Sequence, residues 1–187
     1  MDTYKTLNKQ IFKSGKHSLV PIRHEDRFKI MKWRNEQMYH LRQDAPISVQ
    51  DQEKYFSNII SKLFNQKTPN QILFSYLKNN TCIGYGGLVH INWTDKTAEI
   101  SFLLNTEIEK YRFKSNWSIF LNLIELIAFE ELKFHKIYTY AYDIRPKLFE
   151  VLDKLKFIKE ETLKDQIKIE DKFKDIIIHS KFNKSNY

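Results

Sequence analysis

The stretch ILFSYLKNN (72–80), TCIGYGGLVHINW (81–93), KTAEISFLL (96–104) decides the fold. Each run has the length and the β-branched and aromatic content of a strand. The turn signals Lys78-Asn79-Asn80 and Thr94-Asp95-Lys96 separate them, so the three read as an antiparallel meander. Three of the chain's four glycines, Gly84, Gly86 and Gly87, fall in its middle strand. Upstream, HSLVPI (17–22) reads as a strand. A helix follows from about Arg27 to Leu41, with Phe28, Met31 and Met38 on one side. Ser48 and Asp51 make a capping-box pattern that opens a second helix carrying Tyr55, Phe56, Ile59, Ile60, Leu63 and Phe64, and QKTPNQ (66–71) ends it. Downstream, Ile119, Phe120, Leu123, Ile124, Ile127, Ala128 and Leu132 cover most of the circumference of a helix spanning about 116 to 132, which must be buried against the sheet. A strand at 136 to 142, a helix from Pro146 to about 155 and the alternating ETLKDQIKIEDKFKDIIIHSKF (161–182), a closing hairpin, complete the pattern. The expected class is α+β: a mixed, mostly antiparallel sheet flanked by helices.

The chain has 187 residues, 42% of them hydrophobic and 14% aromatic, enough for one domain with a sizeable core. A single domain over 1–187 is expected, with loose ends at about 1–15 and 183–187. No apolar run reaches the roughly 20 residues needed to span a bilayer, and the first residues lack the apolar core of a signal peptide. A soluble cytoplasmic protein with no membrane partner is therefore expected. Cys82 is the only cysteine and sits in an apolar strand, which excludes an intramolecular disulfide and a thiolate metal cluster. No metal is expected. Net charge is +8. Residues 1–34 hold nine Lys or Arg against three Asp or Glu, a field that attracts an anionic ligand or simply solvates a helix face. The aromatics follow strand and helix periodicities and match no RNA-binding signature, so nucleic acid is not an expected partner.

KWRNEQ (32–37), GYGGLVHINW (84–93), AEISFLL (98–104) and FEELKFHKIYTYAYDIRP (129–146), in this order, resemble the GNAT superfamily of acetyl-CoA-dependent N-acetyltransferases. They are most similar to the branch that acetylates protein N-termini or nucleotide-linked amino sugars. The resemblance spans about residues 18–180. It implies acetyl-CoA as cosubstrate and a small amine as acceptor: first an amino sugar, nucleotide-linked, of cell-surface polysaccharide synthesis, then a protein N-terminus. A homodimer is among the forms it implies.

In such folds two central strands splay, and the pantetheine arm pairs with exposed backbone in the gap, here at Leu103, Leu104 and Asn105. The pyrophosphate then rests on backbone N–H groups at the start of the long helix. The family pattern there begins with Arg or Gln and continues with small residues. Arg112 matches the first place, but Ser115 and Trp117 stand where the small residues are expected. Two outcomes stay open: a remodelled loop that binds through Arg112, Lys114, Ser115 and Asn116, or a degenerate domain that has lost cofactor binding. Arg145 occupies a place near the cofactor.

Transfer from a thioester to an amine needs a neutral amine and a proton for the leaving thiolate. At pH 7 a lysine amine costs roughly 4 to 5 kcal/mol to deprotonate and an α-amino group about 1. Glu99 is the leading base, sharing a strand face with Ser101 and Leu103. His90 is its competitor. Tyr142, in line with Tyr138 and Tyr140, is the candidate proton donor, since Leu152 stands where relatives carry a helical tyrosine. Arg34, Asn35 and Gln43 are the substrate-binding candidates from the first helix and the loop after it.

Overall fold

The computed structural model describes residues 2–184. Eight strands form one sheet in the order β1-β2-β3-β4-β5-β6-β8-β7. They are β1 (Phe12–Ser14), β2 (His17–Pro21), β3 (Ile72–Lys78), β4 (Thr81–Asn92), β5 (Thr97–Leu104), β6 (Lys136–Tyr142), β7 (Ile158–Ile169) and β8 (Lys172–Phe182). All neighbouring pairs are antiparallel except β5 with β6. Asn79 and Asn80 both take positive φ in the β3–β4 turn, as do Glu170 and Asp171 between β7 and β8. This is the backbone a two-residue hairpin needs to match strand twist.

The helices are α1 (Arg27–Glu36), α2 (Val49–Tyr55), α3 (Ser61–Leu63), α4 (Thr106–Glu125) and α5 (Pro146–Lys154), with a π-helical turn joining α2 to α3. Ser48 caps α2 by accepting from the Asp51 N–H, as its spacing predicts. The apolar helix packs on the sheet through Phe120, Leu121, Ile124, Ile127 and Ala128, all with no accessible surface. It is longer than expected. Asn105 caps it by accepting from the Glu107 and Ile108 N–H groups, so α4 starts at Thr106, about ten residues before the expected start at 116. The first helix is shorter than expected, closing at Glu36 before a 3-10 turn at Met38–His40.

The expectation of a loose segment at 1–15 is corrected. Tyr4, Leu7 and Phe12 are buried, and β1 adds an edge strand. The Tyr4 hydroxyl donates to the Leu73 carbonyl at 2.9 Å and accepts from the Leu73 N–H at 3.0 Å, completing β3 just past the end of β2. At the other end Asn183 is buried and donates to Phe134 O at 3.1 Å, whereas 185–187 lie outside the described residues.

Two features of β4 position the site. A Cβ on Gly87 would lie 2.0 Å from the Ile72 carbonyl oxygen, and one on Gly86 2.1 Å from that of Ser101, so glycine is what lets β3 and β5 close on β4 here. Past Val89 the β4–β5 register shifts, and His90 takes φ 48° at this irregularity. Gly87→Ala is therefore expected to cost about 3 kcal/mol as overpacking. Gly15→Ala, with nothing within 4 Å but φ +55°, costs about 1 kcal/mol of backbone strain. Urea unfolding of both variants checks this order, and equal midpoints would show that the sheet yields.

Candidate active site

β5 and β6 pair over three residues only: Thr97 with Lys136, Ala98 with Ile137 and Glu99 with Tyr138. Beyond that point β5 follows β4 and β6 follows β8, so the two central strands part. A cleft of about 550 Å³ opens between them, lined among others by Arg42, His90, Glu99, Tyr142 and Arg145. Its far end is closed by a stack. Trp117 lies edge-on to Phe102 with centroids 4.9 Å apart, and the Arg145 guanidinium sits 5.2 Å above the Trp117 ring.

Glu99 and His90, competitors in the sequence, are partners in the structure. Glu99 is 4% exposed, and its Oε2 accepts from His90 Nδ1 at 2.8 Å. A carboxylate is an acceptor, so Nδ1 carries the hydrogen and Nε2 keeps its lone pair. The Arg42 guanidinium binds Glu99 Oε1 and also lies 4.9 Å above the Tyr140 ring. Both carboxylate oxygens are thus engaged. The left-handed backbone at His90 is what turns its ring toward Glu99 from the neighbouring strand. Arg42 went unnoticed in the sequence because an irregular loop has no periodicity from which a side chain's direction follows.

Tyr142 lines the cleft, and burial raises its pKa above the ordinary tyrosine value, which keeps it a neutral phenol. Arg145 pairs with Glu109 at 3.0 Å as α5 begins, with Pro146 in its first turn.

The backbone expected to receive the pantetheine is partly taken. The Leu104 carbonyl accepts from Gln37 Nε2 at 2.8 Å, and the Asn105 N–H donates to Ile83 O at 2.8 Å. Leu103 is buried in the β4–β5 ladder opposite Tyr85. In place of those groups the cleft presents side chains. Among the described residues, five buried side-chain polar atoms have no partner, and three of them belong to residues lining this cleft: His40 Nδ1, Trp117 Nε1 and Thr139 Oγ1. His40 Nε2 faces Gln37 Oε1 at 3.3 Å, and Gln37 spends its own N–H groups on Leu104 O and Thr106 Oγ1. His40 therefore donates through Nε2, and Nδ1 is a bare acceptor. Burial, then the nearby Arg145, hold its pKa down to about 3.

The glycine-free stretch is helical rather than a loop, with a break at Arg112, whose φ −129° and ψ 24° leave the helical region. Ser115 Oγ and Asn116 Nδ2 both donate to the Arg112 carbonyl, at 3.1 and 2.8 Å. Asn116 is buried with Tyr76 as its other partner, so its side chain secures the kink. Lys114 pairs with Glu150 of α5. A shallow cavity of about 340 Å³ lies at the break, lined by Lys110, Arg112, Lys114, Ser115 and Lys147 among others.

Of the substrate candidates, Arg34 reaches the cleft and Asn35 and Gln43 do not line it. Asn35 bonds both backbone groups of Ile47, and Gln43 bonds Asn35, Ala45 O and Arg34. These two amides fasten the loop.

No curated protein sequence matches the chain. Solved structures match at low identity. The spermidine N-acetyltransferase from Vibrio cholerae, in complex with CoA and spermine, superposes with a TM-score of 0.77 at 18% identity, covering 91% of this chain and 97% of that one. A dodecameric structure of the Vibrio cholerae spermidine N-acetyltransferase in an intermediate state gives 0.75 at 17% identity, over 92% and 97%. A probable acetyltransferase gives 0.71 at 17%, over 95% and 98%. These likenesses establish the fold. The family model described as Acetyltransferase (GNAT) domain matches residues 19–178, most of the chain. With a parted pair of central strands beneath a long apolar helix, the chain belongs to the GNAT acetyltransferases and is an acetyl-CoA-dependent N-acetyltransferase.

Proposed function

We propose that this chain acetylates the primary amine of a small acceptor, with His90 Nε2 accepting the amine proton. The observation that carries this reading is the 2.8 Å bond from His90 to a buried Glu99 at the point where β5 and β6 separate. Glu99 fixes the tautomer and ring orientation, and Arg42 offsets its charge. This is the logic of an oriented histidine base. Glu99, with both oxygens committed, positions the base instead of taking the proton itself. Tyr142 holds the proton that the leaving sulfur requires.

Acetyl-CoA, when bound, supplies the thioester whose acetyl group passes to the amine. The residues present fit it. Trp117 Nε1–H is a donor, His40 Nδ1 an acceptor and Thr139 Oγ1 either, and each is buried at a cost of about 1–3 kcal/mol while unpartnered. An amide-bearing arm satisfies such a set. The second helix start at the Arg112 break, with Lys110, Arg112 and Lys147 around it, suits the pyrophosphate. These features favour the remodelled site over a degenerate domain.

For the acceptor, the first choice is an amino sugar carried on a nucleotide. Among the described residues, three arginines line the cleft, Arg34, Arg42 and Arg145, against one carboxylate, Glu99. That lining suits phosphates and is poorly matched to a polyamine such as the one bound by the Vibrio cholerae neighbour. A protein N-terminus is the second reading, favoured by the 61% exposure of the His90 side chain, which a large acceptor can reach. Self-association belongs to the proposal too, by analogy with the dodecameric neighbour.

His90→Gln is expected to lower kcat/KM by roughly 10² to 10⁴ near neutral pH. The deficit shrinks above the acceptor amine's own pKa, where the substrate arrives neutral. Glu99→Gln also loses activity, because its amide donates to Nδ1 and moves the ring proton onto Nε2. Unchanged pH–rate profiles in both variants would leave deprotonation to water.

Trp117→Phe combined with Thr139→Val removes two hydrogen bonds of about 1 kcal/mol each, so the Kd of CoA is expected to rise tenfold or more. Calorimetry with CoA and with adenosine 3′,5′-bisphosphate checks this. The nucleotide half should bind both proteins equally, and equal losses for the two ligands would show a general distortion.

A further inference from the structure

Beside the cleft lies a second chamber of about 380 Å³, bounded by α1, α2 and the sheet. The two cavities share Arg34, Gln71, Val89 and Ser101 as a common wall. The chamber is apolar and aromatic, lined by Ile22, Ile30, Ile47, Phe56, Tyr55 and Tyr85. Its carboxylate, Asp51, is exposed and receives a hydrogen bond from the Ser48 hydroxyl at 2.6 Å.

Arg34 is half-buried in this wall. Its Nε donates to Gln43 Oε1 at 2.9 Å and its Nη1 to the Tyr85 hydroxyl at 2.8 Å. Both partners are neutral. Among the described residues no carboxylate lies within ion-pair distance of Arg34, and Nη2 has no hydrogen-bond partner. Removing a cation from water without a counter-charge is costly, and a loop staple alone needs no charge, since an amide would bond Gln43 and Tyr85 as well. The fork is also held in advance. Gln43 is itself fixed by Asn35 and Ala45, and Tyr85 is buried in β4. A rigid guanidinium with a free donor edge is the arrangement that receives a carboxylate or phosphate.

We infer that the acceptor carries an anionic group, which pairs with Arg34, next to an apolar or aromatic portion, which fills the second chamber. The amine is thereby held on the cleft side of the shared wall, with His90 and Glu99. This inference rests on the acetyl-transfer reading and narrows its substrate class.

The test measures CoA release from acetyl-CoA with matched amines. Phenylalanine is set against phenethylamine, a uridine-diphosphate-linked amino sugar against the free amino sugar, and spermidine is included. At least one anionic member is expected to exceed its uncharged counterpart at least tenfold in kcat/KM, and the successful pair tells a carboxylate from a phosphate. Arg34→Met should abolish that preference through KM, with kcat within about twofold, and Arg34→Lys should keep part of it. A preference for uncharged amines or spermidine, or an anionic preference that survives in Arg34→Met, overturns the inference and leaves the acetyl-transfer reading standing. Wild-type protein that binds CoA in calorimetry but acetylates no amine overturns both. The wild-type comparison decides the matter even where the Arg34 variants fail to fold.

Discussion

The parting of β5 from β6 after Glu99 and Tyr138 is the constraint on which the rest of the molecule depends. A parallel pair that separates exposes polar backbone in the middle of a sheet, and the fold must satisfy it or reserve it for a ligand. Here both happen. Near the tip, Gln37 accepts the task for Leu104, and the β4 backbone does so for Asn105. Deeper in the gap, the Phe102–Trp117–Arg145 stack holds the strands apart and leaves the indole N–H without a partner. At the point of separation stands Glu99, whose carboxylate holds His90. The same divergence therefore opens the cleft and sets the His90–Glu99 pair at its root.

Much of this was legible in the sequence. The meander, the apolar helix and the strand after it followed from period-2 and period-3.6 patterns, the splay was implied by the family resemblance, and strand alternation singled out Glu99 as a candidate. What stayed hidden is of one physical kind. Arg42 lies in the loop after the 3-10 turn, where no repeat fixes side-chain direction. That Glu99 and His90 bond each other depends on a register shift and a left-handed residue in β4, features of backbone geometry that composition does not reveal. The N-terminal residues read as a loose basic end because Lys5, Lys9, Lys13 and Lys16 punctuate them, yet Tyr4, Leu7 and Phe12 are buried.

The glycine-free segment at 112–117 departs from the family pattern in its backbone as well as its sequence. Glycines let a chain approach a phosphate closely because they lack a Cβ. This chain instead breaks its helix at Arg112 and ties the released carbonyl with the Ser115 and Asn116 side chains. The result restores a helix start in mid-helix, and the surrounding Lys and Arg residues supply charge. Trp117, the residue most at odds with the family pattern, becomes the wall of the cleft.

The Tyr4 phenol bonds Leu73 across 69 residues of chain. Leu73 also lines the apolar chamber beside Arg34. Closing so large a loop is entropically slow, and in a chain made from its N-terminus Tyr4 emerges long before its partner exists. The wall of that chamber is therefore completed late in the molecule's assembly. During synthesis Phe12 finds its strand partner in β2 a few residues later, whereas the Tyr4 hydroxyl has no Leu73 to bond until β3 has been made.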